Sequence, residues 1–149
     1  DMLSPEMTIA DYRRVLENFW GLYVPLELAV KNSEIAGHFE GRWKVPALQQ
    51  DLRALGITEN GISKISLSED FLNLNLEELI GSLYVMEGST LGGMILSKHF
   101  GTKFHLNHLN GLAFFSGYGA ETPARWREWR EFSENFTKLK GLSTIAIIQ

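Results

Sequence analysis

Glycine residues at helical spacing are the first candidates for chemistry in this sequence. The stretch from Leu83 to Gly101 reads LYVMEGSTLGGMILSKHFG, which is apolar and helix-like yet carries Gly88, Gly92 and Gly93 in its middle. Each interior glycine costs a helix about 1 kcal/mol relative to alanine. Because glycine has no Cβ, such a helix lets another group approach its backbone closely. The chemistry of this stretch therefore depends on what approaches it.

Two kinds of partner suit this helix, and the residues alone leave both open. On a helix of 3.6 residues per turn, Gly81, Tyr84, Gly88 and Gly92 fall near one stripe. A neighbouring helix could pack there, because small residues at four-residue spacing allow close contact. A flat ligand could lie there instead, with Gly92 and Gly93 loosening or kinking the helix so that backbone groups face the ligand. A large planar cofactor such as haem suits that second arrangement.

A bilayer is a third environment that the same stretch could occupy. The segment Leu79–Ser97 contains a single charged residue and is long enough to span a membrane. That residue, Glu87, lies near the centre, where an acid costs about 3 kcal/mol on insertion scales. Ser89 and Thr90 add further polarity. We therefore predict that the helix packs within the protein and that the chain has no membrane partner.

Two further sets of side chains could bind a metal ion, and neither has the required pattern. His105 and His108 are three residues apart with His99 upstream, but no acidic residue joins them. We expect exposed loop histidines instead. A di-iron site in a helical bundle needs Glu-x-x-His pairs on facing helices, which the glutamates around Glu87 lack. We predict no metal site formed by these residues, and Glu87 could be a buried structural acid that bonds a neighbouring helix.

The amino-terminal half of the chain is predicted to form two helices. Apolar residues at spacings of three and four predict an amphipathic helix from Thr8 to Val30. Thr8 is a natural N-cap, and Asp11 stands at the third helical position, as in a capping box. Pro25 could kink the last turns. A shorter helix is predicted in VPALQQDLRALG, with Gly56 ending it.

The carboxy-terminal half is predicted to contain the glycine-rich helix, from near Asn75 to Gly101, and one more. That last helix has Thr122 as its N-cap and Pro123 at its first position, and it ends at Gly141. GHFEGRW, ITENGISKI and the segment from 104 to 122 are predicted to be loops or turns, and LSTIAIIQ to start another helix. No segment shows sustained alternation of apolar and polar residues, so the fold class is all-α. We expect a compact bundle of about five or six helices.

Composition narrows the class of protein. The 149 residues suit a single domain over 1–149, and 44% hydrophobic with 21% charged residues is typical of a globular protein. A net charge of −4 argues against a general nucleic-acid partner. The lack of cysteine excludes disulfides and thiolate chemistry and fits a cytoplasmic location. No basic region followed by an apolar stretch opens the chain, so no signal peptide is predicted.

The order of these motifs resembles the haem oxygenase family, above all its bacterial, bacteriophytochrome-associated members. LYVMEGSTLGGMILSKHFG is similar to the family's distal helix, and residues 8–27, with YRRVL and GLYVPLE, are similar to its second helix. Residues 42–56 and 117–129 match further blocks in the same order. The resemblance covers essentially the whole chain. It implies a haem-oxygenase-like helical bundle.

The resemblance also implies an activity. Haem would be both substrate and cofactor, cleaved with O2 and reductant to biliverdin, CO and ferrous iron. The partners implied are haem, an electron donor such as a ferredoxin or flavoprotein reductase, and a bacteriophytochrome that takes biliverdin as its chromophore. A catalytically inactive binding or sensory module of the same fold is the alternative.

The resemblance assigns roles residue by residue. Gly88 and Gly92 would let the distal helix approach haem, and Ser89 would stand where several members have an aspartate that orders the distal water. A hydroxyl organises water less strongly than a carboxylate does. Arg127 would pair with a haem propionate, although a solvated helix face explains it and its neighbour equally well. The residues assigned to cofactor contact are Tyr84, Gly88, Gly92, Gly93, Arg127 and Arg130.

Two parts of the family pattern have no counterpart in this sequence. The family's proximal histidine lies on its first helix, before the segment that corresponds to residues 1–5. We therefore expect that first helix, and most of the last one, to lie outside these 149 residues. Phe114 and Phe115 could flank a haem edge or belong to an ordinary core.

Overall fold

The computed structural model describes residues 2–142, and this part of the chain folds into helices joined by loops. No β-strand occurs among these residues, so the predicted all-α class is confirmed. Single 3₁₀ turns cover Ala36–Phe39 and Gly119–Glu121. The helix expected to start in LSTIAIIQ falls mostly on residues 143–149, outside the described part. The α-helices are α1 (Ile9–Lys31), α2 (Val45–Ala54), α3 (Glu59–Ser63), α4 (Leu76–Gly88), α5 (Thr90–Phe104) and α6 (Thr122–Lys140).

Helix α1 begins at the predicted capping box. The Thr8 hydroxyl accepts from the Asp11 amide at 3.2 Å, and the Asp11 carboxylate accepts from the Thr8 amide at 2.9 Å. Pro25 lies inside the helix. Because proline has no N–H, the carbonyl of Gly21 one turn earlier lacks its helical partner. The amide of Ser68 donates to that carbonyl at 2.8 Å, which fixes the loop before α4 against α1.

Helices α4 and α5 form one continuous helical stretch with a single irregular residue, Ser89. The Ser89 hydroxyl donates to the carbonyl of Met86, and the Thr90 hydroxyl to that of Glu87, both at 2.6 Å. Both bonds lie at the irregular residue, and serine and threonine hydroxyls can bond helix carbonyls in this way. Gly92 and Gly93 lie within the regular part of α5, so the irregular residue is not where the ligand hypothesis placed a loosened helix.

Helix ends differ from the predictions by a few residues. The glycine-rich stretch continues past Gly101 and ends at His105, whose φ of 56° is left-handed. Helix α6 includes Thr122 instead of starting after it, because its hydroxyl donates to the Gly119 carbonyl at 2.7 Å. Gly141 ends α6 as predicted. The short α3 lies in a segment that was expected to be turns.

Buried side chains form two separate clusters, and the α4–α5 stretch contributes to both. The first joins the start of α1 to α2 and α5, and the second joins the end of α1 to α4 and α6. The boundary between the clusters lies near Ser89. Central members of the first are Tyr12, Leu16, Leu48, Leu52 and Phe100, and of the second Leu26, Val30, Ile80, Leu83 and Trp129.

Candidate functional site

A cavity of about 250 Å³ lies between α1, the α4–α5 stretch and the loop before α6. Its lining is mostly apolar. Helix α1 contributes Phe19 and Tyr23, and the loop contributes Phe114 and Phe115. The rings of Phe19 and Phe114 lie 4.9 Å apart, centroid to centroid. Such an apolar, aromatic lining suits an apolar ligand.

Ser89, Gly92 and Gly93 come together on one wall of this cavity. A Cβ built at Gly92 would have no atom within 4 Å, whereas one at Gly93 would lie 3.5 Å from the carbonyl oxygen of Phe115. The backbone of α5 is therefore open to the cavity at Gly92. This placement is the one that a ligand-facing glycine requires.

Gly88 and Tyr84 face a neighbouring helix instead of the cavity. A Cβ at Gly88 would lie 3.2 Å from the ring of Trp126 in α6. The Tyr84 and Trp126 rings pack edge to face with centroids 5.0 Å apart. From the sequence, either a neighbouring helix or a flat ligand could contact Gly88 and Tyr84. In the structure their partner is the neighbouring helix α6.

Arg127 and Arg130 lie on α6, and neither lines the cavity. Arg127 is exposed to solvent and Arg130 is half-buried. Their assignment to a propionate stays a prediction. Phe114 and Phe115, by contrast, belong both to the cavity wall and to the first buried cluster.

The polar end of the cavity is formed by Tyr23, Ser89 and Lys44. Burial raises the pKa of the Tyr23 phenol, the nearby Glu87 carboxylate raises it further, and a hydrogen bond with Ser89 acts in the opposite direction. The Tyr23 hydroxyl is therefore protonated at neutral pH and can donate a hydrogen bond.

Buried charges lie directly behind this polar end. Glu87 is 2% exposed, and its carboxylate accepts from Arg42 at 3.1 Å, from Lys44 at 3.0 Å and from the Tyr118 hydroxyl at 2.6 Å. The prediction of a buried structural acid is confirmed, but its partners come from loops and not from a helix. Burial lowers the pKa of Lys44, and the Glu87 carboxylate opposes that shift.

The opposite wall of the cavity is held by another buried carboxylate. Asp51 in α2 accepts from the backbone amides of Ala113 and Phe114, both at 2.8 Å. Burial raises the pKa of Asp51 to about 6, and the two amide hydrogen bonds oppose that shift. The position of the Phe114 backbone therefore depends on a carboxylate in a different helix.

No histidine lines the cavity in the part of the chain that the structure describes. His38, His105 and His108 are exposed, as predicted. His99 is not a loop residue: it lies on α5, with a buried Nε2 that has no hydrogen-bond partner. Within residues 2–142, no group of three or more potential ligands is placed to hold a metal ion.

The sequence did not single out Tyr23, Lys44, Arg42 and Tyr118 as residues of the site. Tyr23 stands in the GLYVPLE block and Lys44 in the block that begins at residue 42, so both were within the quoted motifs. A lysine and an arginine two residues apart in an otherwise apolar segment were the available signal for a buried acid nearby.

One segment of the described chain, Leu76–Phe104, is long and apolar enough to cross a membrane by length and composition. The ion pairs of Glu87 lie in its middle and join it to Arg42 and Lys44, which favours a packed helix. The absence of a membrane partner stays a prediction.

Comparison with known proteins gives one match. The family model described as heme oxygenase matches residues 1–140. No curated protein and no solved structure shows a significant match to the chain.

Proposed function

The chain belongs to the haem oxygenase family, and from this premise we propose that it cleaves haem, with O2 and a reductant, to biliverdin, CO and ferrous iron. The family supports haem as substrate and an electron donor as partner. The observation that carries the proposal for this chain is the open backbone at Gly92 in an apolar, aromatic cavity.

The residues of the cavity fit one face of a haem. Phe19, Phe114 and Leu96 offer apolar contact to a macrocycle, and Gly92 leaves room for it to approach the helix backbone. Bound haem would supply the iron that activates O2. The chain's own residues bind and orient the ring, and the apolar wall excludes water from it.

Two hydroxyls on this wall can serve the protons that such a reaction consumes. The Ser89 hydroxyl donates to the Met86 carbonyl at 2.6 Å, so its oxygen remains an acceptor for a water or for Tyr23. Tyr23 stays protonated because its pKa is raised by burial. We propose that these two residues hold the distal water that an aspartate orders in other members.

The proximal iron ligand is not among the histidines that the structure describes, since none of them lines the cavity. We propose that a histidine outside residues 2–142 supplies it. A ferredoxin or flavoprotein reductase as electron donor, a bacteriophytochrome as acceptor of biliverdin, and a cytoplasmic location are further parts of this proposal.

A haem-binding or sensory module without turnover is the second candidate. Two observations favour it: no histidine is among the described residues that line the cavity, and Ser89 stands in place of a carboxylate. The two candidates share the cavity and differ in whether biliverdin is released.

Hemin titration of the full-length protein tests both. We expect a Soret band that saturates, followed by biliverdin absorption when reductant and air are added. The variant Gly92→Leu places a side chain in the cavity, and we expect hemin affinity to fall by roughly tenfold or more. Gly37→Leu is the matched control, because its Cβ also has open space but Gly37 does not line the cavity.

Three outcomes separate the possibilities. The absence of a Soret band with the full-length protein contradicts haem binding. A Soret band without biliverdin supports the non-catalytic module. Equal hemin affinity in Gly92→Leu and Gly37→Leu contradicts the assignment of Gly92 to the haem-facing wall.

A further inference from the structure

The Glu87 carboxylate joins three segments that are far apart in sequence. Arg42 and Lys44 come from the loop between α1 and α2, Glu87 from the last turn of α4, and Tyr118 from the loop before α6. The Tyr118 hydroxyl lies 2.6 and 2.9 Å from the two carboxylate oxygens. Lys44 also donates to the Tyr118 oxygen at 2.6 Å.

Each of these segments continues directly into a wall of the cavity. Glu87 precedes Ser89 by two residues, and Tyr118 follows Gly117, which lines the cavity. Lys44 lines it as well. The cluster therefore links the α5 wall to the end of the 114–117 wall that Tyr118 follows.

Lys44 has no donor left for a ligand. Its ammonium group bonds the Arg42 carbonyl at 2.6 Å, Glu87 at 3.0 Å and Tyr118 at 2.6 Å, which uses all three protons. The neighbouring Glu27 accepts from the Lys44 amide at 2.6 Å and brings a second negative charge. The buried cluster thus contains two cations, Arg42 and Lys44, and two carboxylates, Glu27 and Glu87. Its polar groups are hydrogen-bonded to one another.

We propose that Glu87 is a positioning residue for the cavity: through Arg42, Lys44 and Tyr118 it fixes the α5 wall relative to the loop wall. The expected effect on hemin binding rests on the proposed function. The placement of the walls is a property of the protein without ligand.

The variant Tyr118→Phe tests this directly, with Tyr12→Phe as its control. Tyr118→Phe removes the hydrogen bond that the phenol donates to Glu87 at 2.6 Å and the one that it accepts from Lys44 at 2.6 Å, whereas Tyr12→Phe removes a phenol hydrogen bond to the Gly111 carbonyl at 2.6 Å, outside the Glu87 cluster. We expect hydrogen exchange of the backbone amides in 86–93 and 116–119 to accelerate about tenfold in Tyr118→Phe. Tyr12→Phe should leave those amides unchanged.

A second variant, Glu87→Gln, keeps the shape of the side chain and removes its charge. We expect the same pattern of faster exchange, and a hemin affinity lowered by about tenfold with a shifted Soret maximum. Tyr12→Phe should keep the wild-type Soret maximum.

The outcomes are distinct. Equal exchange in 86–93 for Tyr118→Phe and Tyr12→Phe overturns the proposal, as does exchange in Glu87→Gln that rises evenly along the chain. If the wild-type protein fails to bind hemin, the proposed function falls, and the exchange measurements still decide the role of Glu87.

Discussion

Helices α4 and α5 are parts of one helical stretch, yet they are packed in opposite ways. Five residues of α4 are buried, including Ile80, while in α5 only Phe100 is. Apolar side chains of α5 such as Ile95 reach solvent instead, and the residue is 68% exposed. Each half also belongs to a different core cluster.

The difference explains how one residue type can have two uses in a single helix. Before Ser89, the missing side chain of Gly88 makes room for the Trp126 ring of the neighbouring helix. After Ser89, the missing side chain of Gly92 leaves open space at a cavity wall. The change from one use to the other coincides with the irregular residue and with the buried Glu87 just before it.

The largest expected effect contrasts the two isoleucines. Ile80 is fully buried, so Ile80→Ala should lower the free energy of unfolding by about 2–5 kcal/mol. Ile95→Ala removes the same atoms from an exposed position and should change it by less than about 0.5 kcal/mol. Urea unfolding of both variants measures the contrast. A large loss in Ile95→Ala would show that the α5 face is covered in solution.

A pH titration sharpens the comparison at the wall opposite α5. Burial raises the pKa of Asp51 from 3.8 to about 6 in the folded protein. Folded molecules therefore hold this proton more tightly than unfolded ones, so the contribution to stability is complete below pH 4 and is lost as pH rises through about 6. We expect a loss of roughly 1–3 kcal/mol from this group.

Thermal unfolding between pH 4 and 7 measures it, with Asp51→Asn as the variant that cannot titrate there. The free energy of unfolding of the wild type, relative to that of the variant, should fall as the pH rises. A difference that stays constant over this range would show that Asp51 does not titrate in it.

The smallest effect separates the two glycines. Gly92→Ala places a methyl group in open space and should stabilise the protein by about 1 kcal/mol through helix propensity. Gly88→Ala brings its Cβ within 3.2 Å of Trp126, and the contact should cancel at least half of that gain. Chemical denaturation of the two variants gives the answer, and equal gains would remove the distinction between the two sites.

Features set by neighbouring residues could be predicted from the sequence. The capping box of Thr8 and Asp11 and the end of α6 at Gly141 depend on local hydrogen bonds and backbone angles, and both were found as predicted. The all-α class followed from the spacing of apolar residues. The location of the irregular turn was missed: it lies at Ser89, where two hydroxyl-to-carbonyl bonds occur, and not at Gly92 and Gly93.

Features that depend on distant segments could not be predicted. The partner of Gly88 depends on where α6 places Trp126, and the role of Gly92 depends on the rings that α1 and the loop bring to it. The hydrogen bonds among Arg42, Lys44, Tyr118 and Glu87 include ones that join residues 31 to 74 positions apart, with Lys44 and Tyr118 meeting at one carboxylate. The glycine spacing left a ligand and a neighbouring helix both open, and only the family resemblance favoured the ligand before the fold was known.

The proline inside α1 has a consequence for the order in which the chain folds. Because Pro25 removes one helical donor, α1 cannot complete its hydrogen bonds from its own residues. The Gly21 carbonyl receives its partner from Ser68, so completion of this helix waits for a loop far along the chain to arrive. In place of a bond within the helix, the Gly21 carbonyl has a bond to a residue far along the chain. Closing the loop between the two residues costs conformational entropy, which slows folding. The hydrogen bonding of the first helix is thus completed only when the segment that leads into α4 has docked.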